Sequence, residues 1–526
     1  MPAPRLPIVS EGVILAIDNG TQSVRVLAFA SNGELLDKAQ VALTDYQSPQ
    51  AGWMEHDAAG FYDALVAACQ LLWGQQKVIP KDIRAVVVTT QRATVINLDK
   101  DGHPLRPAII WPDQRRAQIT SQRPLLWRVL FRLLKLKPTI DALEQECEFN
   151  WIQQNQPEIA EQTEHFLLLS GYLNYRLTGQ IADSVGNQVG YIPFDYKTQT
   201  WSAATDWKWS CMGVRPSQLP RLVNIGDAIG GITQTAAIDS GLIAGTPVLA
   251  GAADKACEVL GSGCFEPTMA SVSCGTTATV NVCTSNYIEP RPFIPPYPAA
   301  IPNYFNAEIQ VFRGFWMVSW FKEHFGALET TRAQATAKSP EALFDELLAQ
   351  TPAGADGLVL QPFWNPGLGE PGPEARGSII GFTEQHTRAH LYRAIIEGIG
   401  YALRAGTEQL ERRTKQPITR FRVAGGGSQS DGVMQILADI LNRPTERPST
   451  YEASGLGAAI IGAVALGDYA NYDDAVQKMT SSQSLFTPDP EQAALYDALY
   501  RSVYQAQYGR LKPLFKALQS VYHRGS

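Results

Sequence analysis

Two phrases of the same grammar, half a chain apart, constrain this sequence more than any other feature. Val13-Ile-Leu-Ala-Ile-Asp18 is an apolar run closed by a carboxylate; Asn19-Gly-Thr-Gln-Ser23 follows, and then a second apolar run, Val24-Arg-Val-Leu-Ala-Phe29. Met269-Ala-Ser-Val-Ser-Cys-Gly275-Thr-Thr-Ala-Thr-Val280 repeats the plan. Two β-prone runs joined by a short polar turn containing glycine read as a hairpin. Their recurrence suggests a duplicated core with one phosphate loop from each half. In the first turn Gly20 allows close backbone approach, and the hydroxyls of Thr21 and Ser23 add donors that can wrap a phosphate. Asp18, at the strand end, is placed to hold a magnesium ion, directly or through water. A plain hairpin turn is the competing reading of each Gly-Thr, and the preceding Asp18 weighs against it in the first.

Near the middle of the chain, Gly241-Leu-Ile-Ala-Gly-Thr-Pro-Val-Leu-Ala250 reads as a turn and a short strand, and Lys255 to Leu260 as the first turns of a helix. Asp254 therefore lands at a strand-to-helix junction among small residues, a good position for a general base because backbone N–H groups and a crevice meet there. A simple helix cap is the alternative. At 526 residues, two domains are expected. A composition of 45% hydrophobic and 18% charged residues is that of a globular protein. The net charge of −7 speaks against a nucleic-acid partner. Seven scattered cysteines match neither a disulfide ladder nor a zinc pattern and read as small buried residues of a reducing compartment. Met1 to Pro7 lacks the apolar core of a signal peptide, and no run approaches the ~20 apolar residues of a membrane span, so a cytoplasmic protein without a membrane partner is expected.

Ile83-Arg-Ala-Val-Val-Val-Thr-Thr90 reads as a buried strand delivering Gln91-Arg-Ala-Thr94, and Pro107 to Trp111 delivers Pro112-Asp-Gln-Arg-Arg116. Gln91, Arg92 and Trp111 suit a small polyhydroxylated ligand, polar groups taking hydroxyls and the indole packing on carbon. Arg115 and Arg116 read as surface or helix-start residues. Arg123 to Lys137, apolar with a cation every few residues, reads as a helix burying one face on its own domain, with a membrane-surface or partner-binding helix as the alternative. Pro362 to Arg376 reads as a long loop. Phe421-Arg-Val-Ala-Gly425-Gly-Gly-Ser-Gln-Ser-Asp431 is a strand, three glycines and a helix start, where backbone can approach a phosphate or a flat base. Glu452-Ala-Ser-Gly-Leu-Gly457 opens a helix whose small residues point to close helix packing.

Taken in order, Asp18-Asn-Gly-Thr-Gln-Ser, Gly52-Trp-Met-Glu-His-Asp, Gln91-Arg-Ala-Thr, Asp254 in its small-residue setting, Ser273-Cys-Gly-Thr-Thr, Gly425-Gly-Gly-Ser and Glu452-Ala-Ser-Gly-Leu-Gly-Ala-Ala resemble the FGGY family of carbohydrate kinases over nearly the whole chain. The resemblance implies an α/β protein with a two-lobed actin-like (ribonuclease H-like) ATPase fold, a duplicated core of mixed sheets flanked by helices. The implied lobes are 1–256, with the sugar site and first phosphate loop, and 257–526, with the second loop and the adenine-nucleotide site. It implies ATP and Mg2+ as cofactors, transfer of the γ-phosphoryl group to a sugar or polyol hydroxyl, and allows a homodimer. By resemblance Asp254 is the base and Asp18 the magnesium-associated carboxylate. Thr21, Gln22 and Ser23 form the first phosphate loop, Gly275 and Thr276 the second, and Gly425, Gly426 and Gly427 the turn against which the nucleotide lies. Gln91, Arg92, Trp111, Asp254 and Lys255 face the substrate.

Gln91-Arg92 with Trp111, and Glu446-Arg-Pro, are similar to the glycerol-kinase branch. That branch carries Glu where this chain has Ala93, and Gln where it has Lys255. The Met-His pair of the xylulokinase type is also missing. These departures leave room for a larger or differently charged substrate, with Lys255 available to an anionic or strongly polar group; a ketopentose or related polyol is the expected class. A nucleotide-binding sensor or scaffold on the same hinged core, and a hydrolase of phosphorylated sugars, are the competing functions.

Overall fold

The computed structural model describes residues 12–120, 123–134, 136–335, 340–364 and 371–522. The signal-peptide reading of Met1 to Pro7 and part of the Pro362–Arg376 loop fall outside them. The first sheet comprises β1 (Val13–Asn19), β2 (Ser23–Phe29), β3 (Leu35–Ala42), β4 (Ile83–Thr90), β5 (Ala228–Gly231) and β6 (Pro247–Leu249), in the spatial order β5-β6-β4-β1-β2-β3. The second comprises β7 (Met269–Cys274), β8 (Ala278–Thr284), β9 (Tyr297–Pro298), β10 (Phe305–Val311), β11 (Arg420–Ala424), β12 (Thr445–Pro448) and β13 (Ser482–Phe486), in the order β9-β10-β8-β7-β11-β12-β13.

The two sheets share one plan. In the first, β1 is antiparallel to β2, β2 to β3, and on its other side β1 runs parallel to β4, β4 to β6, with β5 antiparallel at the edge. In the second, β7, β8 and β10 form the antiparallel side; β11 and β12 run parallel beyond β7, and β13 closes the edge antiparallel. The duplication expected from the two Gly-Thr hairpins is thus a duplicated topology, with β9 added at one edge. One detail differs: the antiparallel edge strand precedes its neighbour in sequence in the first sheet and follows it in the second.

Alternation along β1 sorts its side chains onto two faces, as a strand period of two requires. Val13, Leu15 and Ile17 join Val86 and Val88 under α1 (Ala58–Gly74). Ile14 and Ala16 join Leu27, Phe29 and Val87 in a core completed by α2 (Asp254–Gly261) and α3 (Ala453–Ala465). Helix α3 thus belongs to the second half of the chain and packs on the first sheet. The two helices cross at glycines: a Cβ at Gly261 would lie 1.9 Å from the Ala453 carbonyl oxygen, and one at Gly457 1.9 Å from that of Cys257. The close packing expected of these small residues is present. The second sheet packs its apolar face, Val272, Val280 and Ile309 among others, against the 27-residue helix Arg388–Thr414 and the helix Asp431–Leu441.

Two expectations are corrected. Arg115 is buried, paired with Asp113 at 2.7 Å and Glu55 at 2.8 Å and stacked over Trp53, so that two carboxylates and an aromatic face replace the water a surface arginine would keep. The helix Leu125–Leu133 does not bury a full face: only Phe131 is buried, while Leu125, Leu126 and Leu133 are 72%, 76% and 75% exposed. Arg123 pins its start through Asp141 at 2.5 Å and Glu144 at 2.8 Å. All seven cysteines are buried and free. Among the described residues no helix is long and apolar enough to cross a membrane.

Candidate active site

Side chains bridge the two sheets, Arg92 to Glu308 at 3.0 Å and Lys255 to Ser273 at 2.7 Å, and the second sheet turns an unusual face toward that junction. Ser271 and Ser273 on β7, Thr279 and Asn281 on β8, and Asn306 and Glu308 on β10 are all buried and polar. They alternate with the apolar residues of the opposite face, and register places Ser273 beside Thr279 and Asn281 beside Glu308. Buried polar surface on this scale is retained where it meets hydrogen-bonding partners. Some atoms lack one: the Ser271 hydroxyl and the Asn281 and Asn306 side-chain oxygens have no protein partner.

From the first sheet, the hairpin between β1 and β2 brings Thr21 to Gln91 and Trp111. The Trp111 indole N–H donates to the Thr21 hydroxyl at 2.8 Å, which donates to Gln91 Oε1 at 3.0 Å. The loop is tightened by a Gly20 N–H to Ser23 carbonyl bond of 3.1 Å, and Tyr46 donates to the Thr21 carbonyl. The Gln91 amide nitrogen is buried without an acceptor. Gln22, at the hairpin tip, is exposed.

Asp254 stands at the first position of α2, where Ala253 is the cap residue. Its Oδ1 accepts the Lys255 backbone N–H at 2.7 Å, so it satisfies one N–H of the first turn without standing at the cap position itself. The preceding turn is braced from the side: Ser184 donates to the Gly251 carbonyl at 2.5 Å and Ala253 N–H to that of Gly186 at 3.1 Å. Asp254 keeps partial access to solvent through the cleft, yet burial lifts its carboxyl above the ordinary range against the pull of Lys255 and Arg92.

Asp18 is buried at the end of β1, and burial raises its carboxyl to about 6 even with the Arg25 guanidinium 2.5 Å away; the negative charge of Asp254 adds to the rise. Arg25 also binds Glu452, the residue before α3, at 2.7 Å, and Lys38 binds that carboxylate at 2.9 Å. With Oδ2 on Arg25, Oδ1 of Asp18 has no partner, and neither do the buried Asn19 side chain and Thr89 hydroxyl nearby in β1 and β4. A free, buried, anionic oxygen among neutral ones fits a hydrated magnesium ion.

Both remaining sequence-assigned cations in the cleft are already paired. Arg92 reaches across to Glu308 of the second sheet at 3.0 Å and lies over the Tyr297 ring, 5.0 Å from its centroid. Lys255 Nζ donates to Glu258 Oε2 at 2.9 Å and Ser273 Oγ at 2.7 Å. Sequence reading missed Glu308, Glu258 and Arg25, and named Ser273 only as part of the second loop's motif. The only local signal was polar alternation in Phe305-Asn-Ala-Glu-Ile-Gln, which any half-exposed strand would give.

The second loop, Gly275–Thr277, lies against the glycine triplet. A Cβ on Gly425, whose φ is +89°, would sit 3.0 Å from the Cys274 carbonyl carbon, and one on Gly427 2.4 Å from the Phe315 ring. At Gly426 nothing lies within 4 Å of such a Cβ, so that glycine faces open space. Thr276 is tied down by the Trp316 N–H to its carbonyl at 3.2 Å. Asp18, Thr21, Gln91, Arg92, Trp111, Asp254 and Lys255 thus belong with the first sheet and its helices, and Gly275, Thr276 and Gly425–Gly427 with the second.

Comparison with known proteins points the same way. Residues 13–261 match the FGGY family of carbohydrate kinases, N-terminal domain, and residues 270–466 its C-terminal domain. The chain is 29% identical over 520 residues to an uncharacterised sugar kinase of Escherichia coli, covering 98% of this chain and 97% of the relative. It is 27% identical over 517 residues to a xylulose kinase of Staphylococcus epidermidis, covering 97% and 99%. It is 29% identical over 486 residues to a glycerol kinase of Thermococcus onnurineus, covering 90% and 93%. Among solved structures, a xylulose kinase from Rhodospirillum rubrum superposes with a TM-score of 0.80 at 26% identity, covering 96% of this chain and all of that one. The two matched domains, the duplicated sheets and the relatives that span the chain agree: this protein belongs to the FGGY family of carbohydrate kinases and is a phosphotransferase of the actin-like ATPase fold.

Proposed function

We propose that the protein transfers the γ-phosphoryl group of ATP to a hydroxyl of an uncharged sugar or polyol, of the ketopentose or related-polyol class, with Asp254 as the general base. The observation that carries this reading is Asp254 itself: a carboxylate raised by burial, open to the cleft, with a single hydrogen bond from its neighbour's N–H. A raised carboxyl accepts a proton from an attacking hydroxyl more readily than an ordinary one. The uncharged class is supported by Arg92, whose guanidinium is held by Glu308 and is therefore not a free cation for a sugar acid. Glu308 would supply the carboxylate that position 93 lacks, and with Arg92, Gln91 and the polar face of the second sheet would bind hydroxyls.

Thr21, Gln22 and Ser23 on one side and Gly275 and Thr276 on the other would hold the phosphates, and Gly425, Gly426 and Gly427 the rest of the nucleotide. Trp111 would pack on the carbon skeleton of the sugar. Asp18, through Oδ1 and water, would hold the magnesium ion, which when bound neutralises phosphate charge. Phosphoryl transfer needs little else, since positioning and charge stabilisation supply most of the rate. Closure of the two lobes would keep out water, the competing acceptor.

The test is ADP release from Mg-ATP across polyols, ketopentoses, aldoses and sugar acids, with wild type and Asp254→Asn. One neutral substrate should turn over strongly, and the variant should lose about 100- to 10,000-fold in kcat while binding ATP as before. Silence across the panel despite tight ATP binding, or an indifferent variant, would transfer the weight to a nucleotide-binding sensor or scaffold.

A further inference from the structure

Lys255 is the feature that neither a sugar site nor a phosphate loop accounts for by itself, because it joins the two. Its backbone N–H binds the carboxylate of Asp254, while its side chain reaches the other way, to Ser273 Oγ at 2.7 Å. Ser273 lies two residues before Gly275, and its Oγ is 3.8 Å from where a Cβ on Gly275 would stand, so it sits directly beneath the second phosphate loop. Glu258, one helical turn on, holds the same ammonium at 2.9 Å and fixes its direction. The ammonium therefore occupies the ground between the base and the loop, which is where a phosphoryl group must pass from nucleotide to sugar. An ammonium carries three donors. Two are engaged by Glu258 and Ser273, and among the described residues the third has no acceptor.

We propose that Lys255 is a catalytic residue: its ammonium contacts the phosphoryl group in flight and stabilises the charge spread over its equatorial oxygens. This deepens the kinase reading above and rests on it. In the step, the substrate hydroxyl oxygen forms a bond to the γ-phosphorus and its proton passes to Asp254. The bond from that phosphorus to the bridging oxygen breaks, and its electron pair leaves with ADP. Lys255 keeps its protons throughout and contributes hydrogen bonding and charge alone. Burial opposes the charge, but the carboxylates Glu258, Asp254 and Glu308 together outweigh it and favour the ammonium form. A preorganised donor of this kind acts on the transition state more than on the bound substrates.

The experiment compares Lys255→Met, Lys255→Gln and Lys255→Arg with wild type on the substrate found in the panel. The expected result for Lys255→Met is a fall in kcat of about 100- to 1,000-fold, the size seen when one such donor is removed, with KM for sugar and ATP little changed. Lys255→Gln, which keeps a donor toward Ser273 and guards against misfolding of the Met variant, should behave likewise, and Lys255→Arg should recover part of the rate. A second readout needs no turnover: binding of ADP with aluminium fluoride and sugar, a mimic of the transferring group, should weaken in parallel, while ADP alone and sugar alone bind as in wild type. A kcat within about threefold of wild type, or a raised sugar KM at unchanged kcat, would overturn the proposal, the latter by making Lys255 a ground-state sugar contact. A wild-type enzyme silent on every substrate would instead sink the kinase reading, and the two failures are distinct.

Discussion

Glu308 and Asp18 show what single side chains contribute and what a linear sequence hides. Thr21, Gln91, Trp111 and Asp254 were legible because each stands at the end of an apolar strand, where chemistry-bearing residues are exposed to a crevice. Glu308 was not, since it sits within a strand and its partner Arg92 is 216 residues away. With Glu308→Gln the Arg92 guanidinium loses its anionic partner and the substrate one charged acceptor. Hydrogen bonds to charged groups are worth about 1.5–3 kcal/mol, so kcat/KM for the sugar should fall by about 10- to 100-fold with KM for ATP unchanged. Steady-state kinetics with sugar and ATP varied in turn would show it, and an unchanged sugar KM would remove Glu308 from the substrate site. Asp18 yields a pH prediction. Burial outweighs Arg25 and holds its folded pKa near 6, above the unfolded value of about 3.8. Its contribution to stability is therefore full below pH ~4 and is lost as pH rises through ~6. Metal-free protein should lose melting temperature between about pH 4 and pH 7, and Asp18→Asn should flatten that slope. Parallel slopes in the two proteins would contradict the assignment.

At the scale of elements, hairpins and helix ends were legible because turn and cap chemistry is local. Gly179 closes the helix Leu169–Thr178 in the left-handed region, where glycine carries no Cβ penalty. What a helix packs against is not local. The helix Leu125–Leu133 carries helical periodicity without the cover that periodicity usually signals, which is why its exposed leucines were misread. The crossing of α2 and α3 is the reverse case, since small residues announced a close contact without naming the partner. There the two backbones touch, so a methyl has nowhere to go. Gly457→Ala should destabilise by about 1–3 kcal/mol or more, because the atom it meets is a carbonyl oxygen and cannot rotate away. Gly74→Ala, at the end of α1 where nothing lies within 4 Å, should be neutral or slightly stabilising. Thermal denaturation of the pair checks it, and equal melting temperatures would show that the helices can part without cost.

The whole molecule repeats one sheet plan twice, and the two Gly-Thr hairpins revealed this because a phosphate loop leaves a short local signature. The rest of the repeat has diverged beyond recognition: strand order in space is kept while connections and side chains are not. Two lobes read as successive halves of the chain also conceal that α3 returns to the first sheet. That return has a consequence for synthesis. The apolar face formed by Ile14, Leu27 and Val87 is covered in part by Leu456 and Ile460, which the ribosome makes long after it. From Gly261 to Ala453 lie roughly 190 residues, about 10–40 s of translation at ordinary speed. For that interval the first lobe is a nascent chain with an open seam, which waits for α3, or for a chaperone, to cover it.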